Sequence, residues 1–171
     1  MVSHGLSTGA LFLLIGMIYD RRHTREIADF GGLWKPMPVF AAFFLVAMFS
    51  SIGLPGLNGF VGEFLILLGT FEAHRIFAIF AAIGIILGAV YMLWMYQRVM
   101  YGEITNDANR HLKDMNGREI ALMIPIVVLM FWIGIYPNTF LRKMDQSSAH
   151  LIEQMRTQRM LADSQAPINV K

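Results

Sequence analysis

The sequence predicts an all-α integral membrane protein with four transmembrane helices, the second of them discontinuous, and a C-terminal amphipathic helix. Hydrophobic residues make up 56% of the 171 residues and charged residues only 15%, whereas a soluble domain carries about 25% charged residues. The apolar residues gather in four long stretches, which is typical of membrane-spanning segments. The predicted spans cover residues 1–19, 37–71, 76–97 and 120–141.

The second apolar stretch, residues 37–71, is too long for one straight span and too short for two spans with a loop. Its centre, from Gly53 to Phe64, reads G-L-P-G-L-N-G-F-V-G-E-F. The helix breakers predicted there are Gly53, Pro55, Gly56 and Gly59. A single crossing made of two half-helices, Pro38–Ser51 and Phe60–Phe71, fits this pattern. A two-helix hairpin is the alternative, but neither half alone spans about 30 Å of hydrocarbon.

Glu63 is the one charged side chain between Met37 and Phe71, and it follows the predicted break. Broken backbone at membrane depth is tolerated where it is buried in protein or lines a polar cavity. A carboxylate at such a place marks an ion or proton path by default. We therefore predict that Glu63 carries protons, with a carboxylate that caps a helix N-terminus as the alternative.

Two basic loops predict the orientation of the chain. Residues 20–35 and 98–119 each contain four Lys or Arg residues, and with four spans both loops lie on the same side. The positive-inside rule places them in the cytoplasm, or in the matrix of a mitochondrion. Both termini then face outward. A bacterial inner membrane is the predicted location, and a mitochondrial inner membrane is the alternative.

The sequence pattern excludes several classes of site. Cysteine is absent, which excludes disulfides and thiolate metal sites. No metal-ligand, nucleotide-binding or nucleophile motif is present, so no metal site is predicted. The net charge of +2 comes from basic residues beside apolar segments, a placement that indicates membrane orientation and no nucleic-acid partner.

The remaining segments give three weaker signals. The third stretch contains Gly84-x-x-x-Gly88, which favours close helix packing, and Tyr91 begins an aromatic cluster typical of a membrane interface. Residues 142–171 form a polar C-terminal segment. Within it, Asp145–Leu161 is predicted to be an amphipathic helix on the membrane surface or on a neighbouring subunit. Its apolar stripe comprises Met144, Leu151, Ile152 and Met155.

Two motifs connect the chain to a known family. The chain begins M-V-S-H-G-L-S-T-G-A-L-F, continues with Y-D-R-R-H-T-R at 19–25, and then has the glycine-rich motif from Gly53. In this order and spacing they resemble the antiporter-like subunits of proton-pumping NADH:quinone oxidoreductase, respiratory complex I. The resemblance implies a bundle of fourteen helices, of which this chain corresponds to the eleventh to fourteenth. Because no signal-peptide features precede the first apolar run, we expect Met1 to lie inside a longer polypeptide.

The resemblance also implies roles for particular residues. His4 matches the central-axis histidine of the family, and Glu63 matches the carboxylate of the broken helix; both are expected to transfer protons. Ser7, Thr8 and Asn58 are candidates for a polar path that holds water. The implied partners are protons, the lipid bilayer and other membrane-arm subunits. This chain would hold no cofactor, whereas NADH, flavin, iron–sulfur clusters and quinone would belong to other subunits of the oxidoreductase.

Three alternatives to a complex I subunit remain open from the sequence. The same two motifs occur in multisubunit sodium/proton antiporters, which lack redox coupling, and in the membrane arm of related hydrogenase complexes. A third alternative is an inactive structural fragment, because the lysines and the glutamate of the family's first repeat would lie before Met1. The sequence preceding Met1 would discriminate among them.

Overall fold

The computed structural model describes residues 1–165, and over this range the chain is helical with no strand. The α-helices are α1 (Val2–Arg22), α2 (Pro38–Ser51), α3 (Asn58–Ala73), α4 (Arg75–Met100), α5 (Gly117–Ile135) and α6 (Asn138–Gln165). The chain divides into two compact units, one of residues Met1–Ile135 and one that begins at Tyr136. The prediction of an all-α protein is confirmed over the described range.

Three helices in the described part of the chain are long and apolar enough to cross a membrane. They are α1, α4 and α5, and α2 is apolar but shorter. α1 and α4 extend beyond the predicted spans, to Arg22 and Met100. These lengths and compositions agree with an integral membrane protein.

The second apolar stretch forms two helices, α2 and α3, separated by residues 52–57. Gly53 and Gly56 lie in this link with φ of 72° and 94°, values that glycine adopts without the steric penalty of a side chain. Pro55 lies between them, and Gly59 is in the first turn of α3. α3 begins at Asn58, two residues before the predicted half-helix, so Asn58 belongs to the helix and not to the link.

α2 and α3 lie in series along α4, as the contacts at the two ends of α4 show. Near the C-terminal end of α4, the hydroxyl of Tyr96 donates a hydrogen bond to the Ala41 carbonyl of α2 at 3.0 Å. The Tyr96 ring also stacks on Phe44, with centroids 6.0 Å apart. At the N-terminal end of α4, the Arg75 guanidinium lies 5.6 Å from the Phe71 ring of α3. The two helices therefore follow one another along a single neighbour, which is not the arrangement of a hairpin.

The two basic loops lie together on one side of the first unit. The Gly32 amide donates to the Tyr101 carbonyl, and the Trp34 amide donates to the Met100 carbonyl, each at 3.0 Å. The buried Asn109 side chain donates to the Asp29 carbonyl, also at 3.0 Å. These bonds join the loop before α2 to the loop after α4, as the predicted topology requires.

An ion pair between Arg21 and Glu119 connects α1 to α5 beside these loops. The Arg21 guanidinium binds both carboxylate oxygens of Glu119, at 2.9 and 2.7 Å. It also donates to the Lys113 and Asp114 carbonyls, at 2.8 and 3.2 Å. The Glu119 amide and the Asn116 amide are each bonded to the other residue's side chain. This capping box starts α5 and holds the Glu119 carboxylate in place.

The N-terminus of α2 is capped by Asp114, a residue of the loop between α4 and α5. The Asp114 carboxylate accepts hydrogen bonds from the Val39 and Phe40 amides, at 2.8 and 3.0 Å. A carboxylate there satisfies free N–H groups of the first helical turn and interacts favourably with the helix dipole. The position of α2, and hence of the link that follows it, is fixed by a residue far away in sequence.

The last predicted span ends earlier than expected. Residues 120–141 were predicted to form one segment, but α5 ends at Ile135 and α6 begins at Asn138. Pro137 lies between them; it has no N–H group and suits the start of a helix, so residues 138–141 belong to α6.

α6 is longer than the predicted helix Asp145–Leu161 and covers Asn138–Gln165. The side chains of its predicted apolar stripe are exposed on this unit: Met144, Leu151, Ile152 and Met155. Of the predicted C-terminal segment, residues 166–171 lie outside the described range.

Candidate functional site

Glu63 and His4 line the same cavity, although they are far apart in sequence. The cavity has a volume of about 420 Å³ and lies between α1, the C-terminal end of α2, α3 and α4. Its lining is rich in polar side chains: Ser3, His4, Ser7, Thr8, Ser50, Ser51, Glu63 and Tyr91. The ion pairs among the described side chains join other residues, so His4 and Glu63 face a shared space without pairing directly.

The carboxylate of Glu63 lies against the backbone of Gly53. A Cβ atom added to Gly53 would overlap Oε2 of Glu63 and lie 2.9 Å from its Cδ. Gly53 therefore provides both the positive φ of the link and the space that the carboxylate occupies.

The alternative role of Glu63, as a cap of the α3 N-terminus, finds no support in the helix ends. The N-cap residue of α3 is Leu57, and no acidic residue lies in the first turn. Glu63 comes in the second turn of α3 and is half-buried at the cavity wall.

His4 lies in the first turn of α1 and has Thr8 as its neighbour. The Thr8 hydroxyl is 3.4 Å from an imidazole nitrogen, a long hydrogen bond between side chains one turn apart. Both residues line the cavity.

Ser7 and Asn58, the other predicted polar-path residues, form a buried cluster with Ser50. The Ser50 hydroxyl donates to Oδ1 of Asn58 at 2.5 Å and lies 2.5 Å from the Ser7 hydroxyl. The Asn58 amide group donates to the Ser3 carbonyl at 2.9 Å. Because these polar groups are bonded to one another, the cluster joins α1 to α2 and α3 on both sides of the link. These hydrogen bonds hold α1, α2 and α3 together next to the cavity.

Two glycines allow backbone to approach closely around the link. A Cβ at Gly59 would overlap the Ser50 carbonyl, so the first turn of α3 rests directly on the last turn of α2. A Cβ at Gly134 of α5 would overlap the Gly56 carbonyl. The link is thus held by α5 from one side and by the buried cluster from another.

Ser50 and Gly134 were not predicted as site residues. A hydroxyl at the end of the apolar α2, directly before the breakers, is a signal that would have found Ser50. Gly134 has a weaker signal, a glycine in an apolar helix, and its role depends on a contact with Gly56 that the local sequence does not contain. Among the described residues, no group of three His, Asp or Glu side chains is placed to hold a metal ion.

The comparison with known families matches the region that builds this cavity. Residues 1–89 match the family model described as the transmembrane region of NADH:quinone oxidoreductase and Mrp antiporters. The chain belongs to this family. The match covers α1, α2, α3 and the first part of α4, and hence both His4 and Glu63.

Two similar proteins align with about nine-tenths of this chain. NADH-quinone oxidoreductase subunit M of Rickettsia prowazekii (strain Madrid E) is 47% identical over 152 residues, which are 89% of this chain and 31% of that protein. NADH-ubiquinone oxidoreductase chain 4 of Chondrus crispus is 42% identical over 153 residues, which are 90% of this chain and 31% of that protein. The chain therefore spans less than a third of the length of these relatives.

A solved structure agrees with the fold. A chain of respiratory complex I from Thermus thermophilus with bound NADH has a TM-score of 0.75 and 36% identity, and the match covers 82% of this chain and 29% of that one. The resemblance predicted from the motifs is confirmed.

Proposed function

We propose that this chain is part of a proton-translocating membrane-arm subunit of an NADH:quinone oxidoreductase. The observation that carries the proposal is the shared cavity, which brings Glu63 and His4 to one polar space beside a broken helix. The names of the similar proteins support the same complex. NADH, flavin, iron–sulfur clusters and quinone would be bound by other subunits, and this chain would contribute ion conduction.

The membrane topology we propose has four crossings, formed by α1, by α2 together with α3, by α4 and by α5. α2 has 14 residues and α3 has 16. At 1.5 Å per residue they measure about 21 and 24 Å, each short of about 30 Å of hydrocarbon. Because they follow one another along α4, together they suffice for one crossing. Glu63, close to the link, then lies in the inner part of that crossing.

The proposed chemistry is proton exchange between Glu63 and His4 through the cavity. A protonated Glu63 and a neutral imidazole become a carboxylate and an imidazolium when one proton moves from Glu63 to His4. The charges on both groups change while the total stays constant, so a charge that shifts nearby can drive the step in either direction. Water in a cavity of about 420 Å³ would carry the proton between them.

We propose that the helices are surrounded by the other subunits and the lipid of a membrane complex. Other membrane-arm subunits and lipid would cover the exposed apolar faces of α3 and α4, and α6 would lie as an amphipathic helix on the membrane surface or on a neighbouring subunit. A bacterial inner membrane, or a mitochondrial inner membrane, would contain the complex, with both termini on the outer side.

The test is Glu63→Gln in the complete subunit within its complex, with Glu72→Gln as the matched control. Both glutamates belong to α3, but Glu72 is exposed and does not line the cavity. We expect Glu63→Gln to lower the number of protons translocated per NADH oxidised while the complex still assembles, and Glu72→Gln to leave that ratio unchanged. A wild-type ratio in Glu63→Gln would refute the role of Glu63.

A multisubunit sodium/proton antiporter subunit is the second candidate, because the matched family includes Mrp antiporters. In that case the same cavity would serve an exchange driven by ion gradients. Sodium-dependent proton movement in membranes that contain the complete protein, without NADH oxidation, would favour this candidate over the first.

A further inference from the structure

An apolar cavity lies on the loop side of the first unit, away from Glu63 and His4. It has a volume of about 300 Å³ and lies between the C-terminal part of α1, the N-terminal part of α2, the C-terminal part of α4 and the loop before α2. This loop-side cavity shares no described lining residue with the cavity of Glu63. Among its described lining residues, Thr24 and Arg25 are polar and the others are apolar.

The loop-side cavity reaches from the surface into the apolar core. Leu33, Phe40 and Met100 form its inner wall and are almost completely buried, whereas its lining residues Ile15 and Arg25 are exposed. An apolar cavity of this kind does not hold water, and side chains that face an empty space lose van der Waals contacts. The cavity therefore favours an apolar occupant.

The loop-side cavity lies at the depth where a membrane changes from headgroups to hydrocarbon. Arg25 follows α1, which ends at Arg22, and Ile15 lies seven residues before that end, about 10 Å along the helix at 1.5 Å per residue. On the same side, the Trp34 ring stacks on the Tyr101 ring with centroids 5.9 Å apart. Trp and Tyr are enriched at the membrane interface. A hydrocarbon chain that enters beside Arg25 would therefore run inward from the headgroup level.

Arg25 provides a cation at the outer end of this cavity. Its guanidinium lies 4.9 Å from the centre of the Tyr19 ring, and stacking on a ring face leaves the N–H groups at the guanidinium edge free to donate. The ion pairs among the described side chains join other residues. The nearby Asp29 carboxylate accepts a hydrogen bond from the Thr24 hydroxyl at 2.6 Å. Arg25 is therefore available to an anion from outside the described part of the chain.

We propose that the loop-side cavity binds one acyl chain of an anionic phospholipid whose phosphate group pairs with Arg25. A methylene group is about as large as a water molecule, which takes about 30 Å³ in the liquid, so the cavity has room for about ten of them. Two phosphate oxygens can accept hydrogen bonds from one guanidinium. A neutral quinone tail or an apolar segment of another subunit would fit the same walls but would leave the charge of Arg25 unpaired.

The test uses the complete subunit in its complex, reconstituted in phosphatidylcholine nanodiscs. The probe is a trace of phosphatidylglycerol that carries a photoreactive diazirine in the middle of one acyl chain. After illumination, mass spectrometry measures the label on the peptide that contains Phe40 and Phe44, which line the cavity. Val99→Phe would fill the cavity, and Val90→Phe is its control, because Val90 is exposed on α4 and does not line the cavity.

Arg25→Gln removes the charge at the outer end. Arg98→Gln is its control, because Arg98 is also exposed, lies 4.8 Å from the Trp94 ring and does not line the cavity. We expect Val99→Phe to abolish the labelling. Arg25→Gln should lower it about fivefold, since one basic side chain contributes about 1 kcal/mol to the binding of anionic lipid. Both controls should keep the wild-type labelling, and a phosphatidylcholine probe should label the wild type as weakly as phosphatidylglycerol labels Arg25→Gln.

Three results would overturn the proposal. If Val99→Phe keeps the labelling, the probe reaches the peptide from the bulk lipid and not from the cavity. If Arg25→Gln keeps it, the phosphate is not bound there, and a diazirine-labelled quinone then shows whether a neutral lipid takes the site. If no probe labels the peptide in the wild type, protein fills the cavity in the complex.

Should Val99→Phe prevent assembly, the result for Arg25→Gln decides, because that side chain is exposed. None of these results depends on proton translocation, so Glu63→Gln tests the proposed function separately.

Discussion

The carboxylate of Glu63 occupies the space that a side chain at Gly53 would fill. Gly53 lies in the link between α2 and α3, and Glu63 lies in α3, so the break in the helix and the placement of its acidic group are one structural feature. A glycine at position 53 makes both possible, since φ there is 72° and a Cβ would overlap Oε2 of Glu63.

We therefore predict that Gly53→Ala displaces the Glu63 carboxylate from its place beside the link. A left-handed backbone conformation costs a non-glycine residue roughly 1–2 kcal/mol, and the overlap adds to this. The expected result is a lower thermal stability of the complex together with fewer protons translocated per NADH oxidised. Gly69→Ala is the control, since alanine at that open helical position meets no atom within 4 Å. Unchanged translocation in Gly53→Ala would contradict the prediction.

The cluster of Ser7, Ser50 and Asn58 predicts a stability effect. All three residues are buried, with exposed fractions of 3%, 0% and 0%. Asn58→Ala removes the oxygen that accepts from the Ser50 hydroxyl and the amide group that donates to the Ser3 carbonyl. The loss of these two buried hydrogen bonds should destabilise the subunit by about 1–3 kcal/mol. Thermal unfolding of the detergent-solubilised complex measures this.

A double-mutant cycle tests whether Ser7 and Asn58 hold the helices together or line a water path. Because Ser7 and Asn58 belong to one hydrogen-bonded cluster, the effects of Ser7→Ala and Asn58→Ala on stability should be non-additive. If both single variants keep full stability and proton translocation falls in each, the residues act as a water path and the role in holding the helices together is wrong.

The bidentate pair of Arg21 and Glu119 predicts a difference between arginine and lysine. Arg21 binds Glu119 and two backbone carbonyls at once, a geometry that a lysine ammonium does not reproduce. We expect Arg21→Lys to reduce the amount of assembled complex measurably, because α1 and α5 lose their fixed connection. Arg110→Gln is the control: it breaks the exposed pair with Asp107, and exposed pairs contribute at most about 1 kcal/mol. Equal assembly of both variants would contradict this.

The sequence predicts the helical class, the position of the break and the importance of Glu63 because each depends on local chemistry. Glycine and proline, here Gly53 and Pro55, interrupt a helix whatever its surroundings. A single carboxylate in an apolar stretch is costly and therefore indicates a functional role. The contacts that fix these elements cannot be predicted in this way. Asp114 caps α2 from a distant loop, and Gly134 meets Gly56 across the bundle.

The bounds of the last helices show the same limit. The apolar residues 120–141 look continuous in the sequence. The end of α5 at Ile135 depends on whether Pro137 ends this helix or precedes the next one. Proline is compatible with the end of one helix and with the start of the next, and here it precedes α6. Hydropathy alone does not distinguish these two outcomes.

The most direct measurement is the infrared difference spectrum of the complete complex between its resting state and its state during NADH oxidation. A protonated carboxylic acid has a C=O stretching band that a carboxylate lacks. If Glu63 carries protons, this band should change in the wild type and in Glu72→Gln, and the contribution should be missing in Glu63→Gln. An identical band change in all three would show that Glu63 keeps its protonation state during turnover, which would contradict the account.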